Sequence, residues 1–166
     1  FFGSHSTWFS RTLNERYGLG LDPESVLETK RARMHDIFMV ELFEGARDFL
    51  AFWQGRRPMA LATNSPRSFV QPSLEEADII GYFDCIVTAD DVSHRKPDPE
   101  MIECAFQNLR VDPLRALVFD DQLIGIEAAR KAGVQVVAVD NGQPVGFPVD
   151  VPVHTWAELL SFSETS

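Results

Sequence analysis

The sequence predicts an α/β fold built on a parallel sheet, and three observations carry that prediction. From Pro58 onward, short apolar runs alternate with segments of helical periodicity, the pattern of successive βαβ units. One run, Ala116–Phe119, is apolar throughout, as a strand buried on both faces must be, and it stops abruptly at Asp120 and Asp121. Beyond it Ile124, Ala128 and Ala132 recur at intervals of four, and Gly133 supplies a helix stop.

The elements follow in order. Ser6–Tyr17 reads as a helix, with Phe9 and Leu13 four apart, broken by Gly18-Leu-Gly20. Asp22-Pro23 opens a second helix, with the aspartate as cap and the proline at the first helical position. That helix sets Val26, Leu27, Met34, Ile37 and Phe38 on one side and Lys30, Arg31 and Arg33 on the other. Residues 1–40 are therefore expected to be a helical pair with facing apolar sides. A third helix is expected over 43–53, starting near Gly45.

Met59–Ala62 is the first predicted strand, ending in Thr63-Asn64-Ser65. Pro66 starts a helix through Glu76, in which Pro72 is expected to introduce a kink or delay the start. Cys85–Thr88 is the second strand, and Asp98-Pro99 caps a helix running to about Leu109. Ala116–Phe119 and Gln135–Val139 are the third and fourth strands, and Asn141-Gly142 turns the chain. A short helix is expected over Trp156–Leu160, with Ser161–Ser166 frayed.

A chain of 166 residues suits one domain, or one core with a small appendage. Its net charge of −10 argues against non-specific nucleic-acid binding, which needs a basic footprint, but leaves small phosphorylated substrates open. Cys85 and Cys104 are the only cysteines, so no disulfide framework is expected and a reducing, cytoplasmic setting is. No apolar run approaches the roughly 18 residues of a membrane span.

Three strand ends carry polar groups in the order Thr63, Lys96, Asp120/Asp121. Parallel strands place their carboxyl ends along one edge of a sheet, so these groups are expected to converge. A hydroxyl can bond a phosphoryl oxygen and an ammonium can neutralise its charge. Adjacent carboxylates repel unless a proton or cation relieves them, and magnesium, which prefers oxygen ligands, is the natural cation. Each feature has a plainer reading: Thr63 or Ser65 as cap of the next helix, Lys96 as a solvated loop charge, Asp121 as an N-cap. Their joint order favours phosphoryl transfer by positioning and electrostatics.

Leu-Ala-Thr63-Asn-Ser, Arg-Lys96-Pro-Asp-Pro-Glu and Val-Phe-Asp120-Asp121 followed by Gly-Ile-Glu-Ala-Ala-Arg-Lys-Ala-Gly resemble the second, third and fourth motifs of the haloacid dehalogenase-like (HAD) superfamily. Within it the chain is similar to the β-phosphoglucomutase and phosphoglycolate-phosphatase-like branch, from about Phe2 to Gly142. The resemblance implies a Rossmann-like sheet over residues 43–166 and a partial helical cap over 1–42. It implies that Thr63 and Asn64 bind the phosphoryl group and that Lys96 stabilises nucleophile and intermediate. Asp120 and Asp121 would hold Mg2+. The implied reaction is hydrolysis of a small phosphorylated metabolite through an aspartyl-phosphate, with phosphomutase activity a variant within the branch. Receiver domains of response regulators carry similar groups in a different order, with the acidic pair on the first strand.

The family's first motif, Asp-x-Asp on a first, central strand, is not found in the sequence, and Gln122 stands where serine is common. Without that nucleophile the chain alone is expected to be inactive. Loss of the strand would remove about four buried aliphatic side chains, about 6–12 kcal/mol at roughly 1.5–3 each. That rivals the roughly 5–15 kcal/mol net stability of a domain. It would also expose two strand edges prone to self-association. The expectation is an incomplete record of a longer protein, which the absent initiator Met favours, over a sheet repaired by rearrangement or a partner. The competing expectation is a non-catalytic protein that uses the fold for binding or assembly.

Overall fold

The computed structural model describes residues 3–26, 28–29, 42–142, 146–148 and 150–164. Helix α1 (Gly3–Tyr17) ends where the Gly18 amide donates to the Asn14 carbonyl. The Asn14 side chain then clamps the following loop, donating to the Leu21 carbonyl and accepting from its amide, both at 2.7 Å. Asp22 caps the next helical turn as expected, its Oδ2 accepting from the Ser25 amide at 2.9 Å. Most of the predicted second helix, from Lys30 through Val40, lies outside the described residues, as does the packing of its apolar side.

Helix α2 (Ala46–Trp53) follows Gly45, whose φ of +79° favours glycine. A side chain there would also strike the next layer, since a Cβ would lie 2.8 Å from the Ala157 amide nitrogen. Next come β1 (Ala60–Ala62), α3 (Arg67–Glu76), β2 (Cys85–Val87) and α4 (Glu100–Leu109). The chain continues through β3 (Leu117–Asp120), α5 (Leu123–Lys131), β4 (Gln135–Val139), β5 (Val153–His154) and α6 (Trp156–Glu164).

Among the described residues every strand pairing is parallel. Ala60 lies opposite Cys85, Leu117 opposite Gln135, and Ala138 opposite Val153. Among the described residues the strands form two sheets, β1-β2 and β3-β4-β5. Alternation along each strand assigns the faces. Ala60 and Ala62 pack on Met101 and Ala105 of α4, whereas Leu61 packs on Val70 and Leu74 of α3. Val118 packs on Ala128 and Ala129 of α5, whereas Phe119 packs against Phe49 of α2 and Leu159 of α6. One helical layer is thus α4 with α5, and the other is α3, α2 and α6. Ile102 of α4 shares one cluster with Ala62 and Val118, so this helix ties one sheet to the other.

Between β1 and β3 lies a cavity of about 1370 Å³, lined by both strands and by α2 and α4. Among the described residues β1 pairs only with β2, and β3 only with β4, so each has one open edge. The open edges of β1 and β3 therefore border one largely apolar space.

Two local expectations are corrected, and one strand is added. Helix α3 begins at Arg67, so Pro72 does not delay its start, and the proline sits inside the helix without the hydrogen bond that position 72 would give the Ser68 carbonyl. Helix α6 runs to Glu164 rather than fraying at Ser161. There the serine hydroxyls donate back to carbonyls of the preceding turn, Ser161 to Glu158 and Ser163 to Leu159, and Trp53 Nε1 donates to Ser163 Oγ at 3.2 Å. Strand β5 has only two residues, too few to show a period, and the sequence does not announce it.

Candidate active site

Residues at or beyond the carboxyl ends of β1, β2 and β3 line one cavity: Thr63, Asn64, Lys96, Asp120 and Asp121. Thr63 extends β1 by one bond, its amide donating to the Val87 carbonyl at 2.9 Å, and its hydroxyl accepts from the Ser65 amide at 3.2 Å. Neither Thr63 nor Ser65 caps α3. Pro66 holds the cap position, and the Arg67 amide donates instead to Asp90 Oδ2 at 2.8 Å.

Lys96 is not a solvated loop charge. Its Nζ meets Asp120 Oδ2 at 2.7 Å, with the two side chains only 10% and 11% exposed. Asn64 fixes the lysine from behind, its Oδ1 accepting from the Lys96 amide at 2.9 Å and its Nδ2 donating to the Lys96 carbonyl at 3.0 Å. This leaves Asn64 one N–H and one lone pair for a guest, and makes it a support for Lys96 in any case.

Asp120 is gripped on its other oxygen, where Oδ1 accepts from the Gln122 amide at 2.9 Å. Gln122, not Asp121, holds the N-cap position of α5. Gly125, in the first turn of α5, is what lets the carboxylate lie so close. A Cβ at that position would sit 1.8 Å from Asp120 Oδ2. Gly125→Ala is therefore expected to push Asp120 away from Lys96 and cost about 1–3 kcal/mol, as overpacking does. A lowered urea midpoint at unchanged slope would show it.

Asp121 is partly buried beside Asp120, and burial first, then the neighbouring carboxylate, push its carboxyl above the ordinary range. Lys96 and a hydrogen bond from Asn141 work in the opposite direction. Asn141 Nδ2 donates to Asp121 Oδ2 at 2.7 Å. Two adjoining carboxylates, one disfavoured as an anion, form an oxygen donor set that suits a hard divalent cation. A second group, His94, Asp98 and Glu100, also gathers donor atoms within 4.8 Å of one another. Its carboxylates already serve the backbone: Glu100 accepts from the Ser93 and His94 amides, and Asp98 accepts from the Glu100 amide.

Asn141 and Gly125 are the two site residues that sequence reasoning misses. Asn141 reads there only as half of a turn, and Gly125 only as part of the run that follows Asp121 in the fourth motif, with no role of its own.

A parallel α/β core that gathers a hydroxyl, an ammonium and paired carboxylates at its strand ends is that of a Rossmann-like enzyme. The chain belongs to the haloacid dehalogenase-like hydrolases, a family that matches residues 1–139. It is similar to the fructose-1-phosphate phosphatase YqaB of Escherichia coli (strain K12), with 34% identity over 136 residues, 80% of this chain and 72% of that one. A phosphorylated carbohydrates phosphatase of Thermotoga maritima is 35% identical over 133 residues, covering 73% of this chain and 62% of that one. The phosphoglycolate phosphatase of Escherichia coli (strain K12) is 33% identical over 111 residues, 66% of this chain and 44% of that one. The chain thus spans from under half to nearly three quarters of these phosphatases.

Among solved structures, CbbY from Rhodobacter sphaeroides in complex with phosphate matches with a TM-score of 0.68 and 26% identity, over 84% of this chain and 67% of that one. A HAD-superfamily hydrolase of subfamily IA from Geobacter sulfurreducens shares the fold, with a TM-score of 0.72 at 22% identity, over 92% of this chain and 71% of that one. Among the described residues, no helix is long and apolar enough to cross a membrane.

Proposed function

We propose that the chain supplies most of the site of a magnesium-dependent phosphatase that hydrolyses a small phosphate ester, a phosphosugar first of all, through an aspartyl-phosphate. The observation that carries this reading is the shielded Lys96–Asp120 pair standing beside Asp121, with Thr63 on the same cavity. The Thr63 hydroxyl would donate to a phosphoryl oxygen, and Asn64 would keep Lys96 aimed at the charge that builds on the transferring group. Asp120 and Asp121 would hold Mg2+, which supplies charge neutralisation at the phosphoryl oxygens when bound. Residues 1–42 would form part of a cap over this edge, and a cytoplasmic setting suits the two free cysteines.

The attacking carboxylate is a separate matter. No Asp-x-Asp occurs in these 166 residues, and Asp120 is engaged by Lys96 and the Gln122 amide. The purified chain is therefore expected to hydrolyse p-nitrophenyl phosphate with Mg2+ no faster than its Asp121→Ala variant. Turnover that Asp121→Ala abolishes would contradict this. The second reading, a non-catalytic binding or assembly protein, draws on the two strand edges that border the cavity.

A further inference from the structure

We propose that Asn141 is a positioning residue that holds the Asp121 carboxylate in the orientation a divalent cation requires. This rests on the assignment of Asp121 as a metal ligand. The register places Asn141 there: Asp120 lies opposite Ala138, so the residues just past the end of β3 face those just past the end of β4. The approach is pinned on both sides of Asn141. The Asp140 amide donates to the His154 carbonyl at 3.0 Å, and the Gly142 amide donates to Asp140 Oδ1 at 2.8 Å. Gly142 has a φ of +77°, which turns the chain away directly after the asparagine.

The amide so held donates to Asp121 Oδ2 at 2.7 Å. A carboxylate on a short side chain rotates about one torsion, and a donor fixed on one oxygen settles where the other points. An amide suits this task better than an ammonium would. It orients the carboxylate without cancelling the negative charge that draws the cation. Hydrogen-bond partners of metal-bound carboxylates typically contribute about 10–100-fold in metal affinity.

The test is a titration of the purified chain with Mn2+, reading free Mn2+ by electron paramagnetic resonance, for wild type, Asn141→Ala and Asp121→Asn. The expected result is binding that Asp121→Asn abolishes and Asn141→Ala weakens about 10–100-fold, with the metal-free melting temperature of Asn141→Ala close to wild type. Binding that Asp121→Asn abolishes but Asn141→Ala leaves unchanged overturns the positioning role alone. Absent binding, or binding that Asp121→Asn does not alter, overturns the metal assignment and this proposal with it. Should Asn141→Ala lower the metal-free melting temperature, wild type decides by NMR. Added Mg2+ is expected to move the Asn141 side-chain amide resonances in step with saturation, and resonances that stay in place overturn the proposal.

Discussion

An apolar segment of five or six residues ending in Asp-x-Asp, joined to the chain by a flexible linker, is expected to raise its melting temperature and give it magnesium-dependent phosphatase activity. The segment would enter the cavity between β1 and β3 as a parallel strand, since the carboxyl ends of both bordering strands meet at Lys96. Its side chains would alternate between the α4/α5 layer and the α2/α6 layer, so it must be apolar on both faces. Four buried aliphatic side chains contribute about 6–12 kcal/mol at roughly 1.5–3 each. Free association costs an estimated 4–15 kcal/mol, which is why the linker is needed. For a chain of this size each kcal/mol gained corresponds to a rise of about 2–4 °C. The terminal carboxylates would emerge level with Lys96 and Asp120. Changing the first of them to asparagine should keep the thermal gain and abolish hydrolysis of p-nitrophenyl phosphate. In the chain without the segment, the same edges are expected to pair copies with each other, so size-exclusion profiles should shift toward monomer when it is present.

Lys96→Met is expected to destabilise the chain by about 3–5 kcal/mol, because removing one partner of a buried ion pair strands the other. Asp120 would then lie 11% exposed, without its ammonium and against the Asp121 carboxylate. The pair itself is not needed for folding, since burying two charges costs nearly as much as their attraction returns. The double variant Lys96→Met/Asp120→Asn should therefore recover most of the loss, measured as the urea midpoint. A single variant as stable as wild type would mean that solvent reaches Asp120 freely. A double variant no better than the single would mean that Lys96 acts through packing of its stem.

Which parts of this site the sequence discloses follows from how each is encoded. Thr63, Asp120 and Asp121 each interrupt or end an apolar run, and Lys96 stands in a polar loop after one, so their positions at strand ends follow from the run boundaries. The same logic places β1 to β4 and the helices between them. Asn141 is different, because its role depends on the register between β3 and β4, a non-local property that no single segment encodes. Gly125 is silent for a related reason: its lack of a side chain matters only once Asp120 folds back over the first turn of α5. The persistence of α6 past Ser161 likewise depends on Trp53, over a hundred residues away. Pro72 does not delay α3, which starts at Arg67 and is held by the apolar contacts of Val70 and Leu74.

The most direct measurement is a crystal structure of the chain grown with Mg2+ and orthovanadate. Metal density on the Asp120 and Asp121 carboxylates, with the anion against Thr63 and Lys96, is the predicted result. Vanadate bound elsewhere on a folded chain, or Thr63, Lys96 and Asp121 facing different cavities, would contradict the assignment of these strand ends to one phosphoryl site.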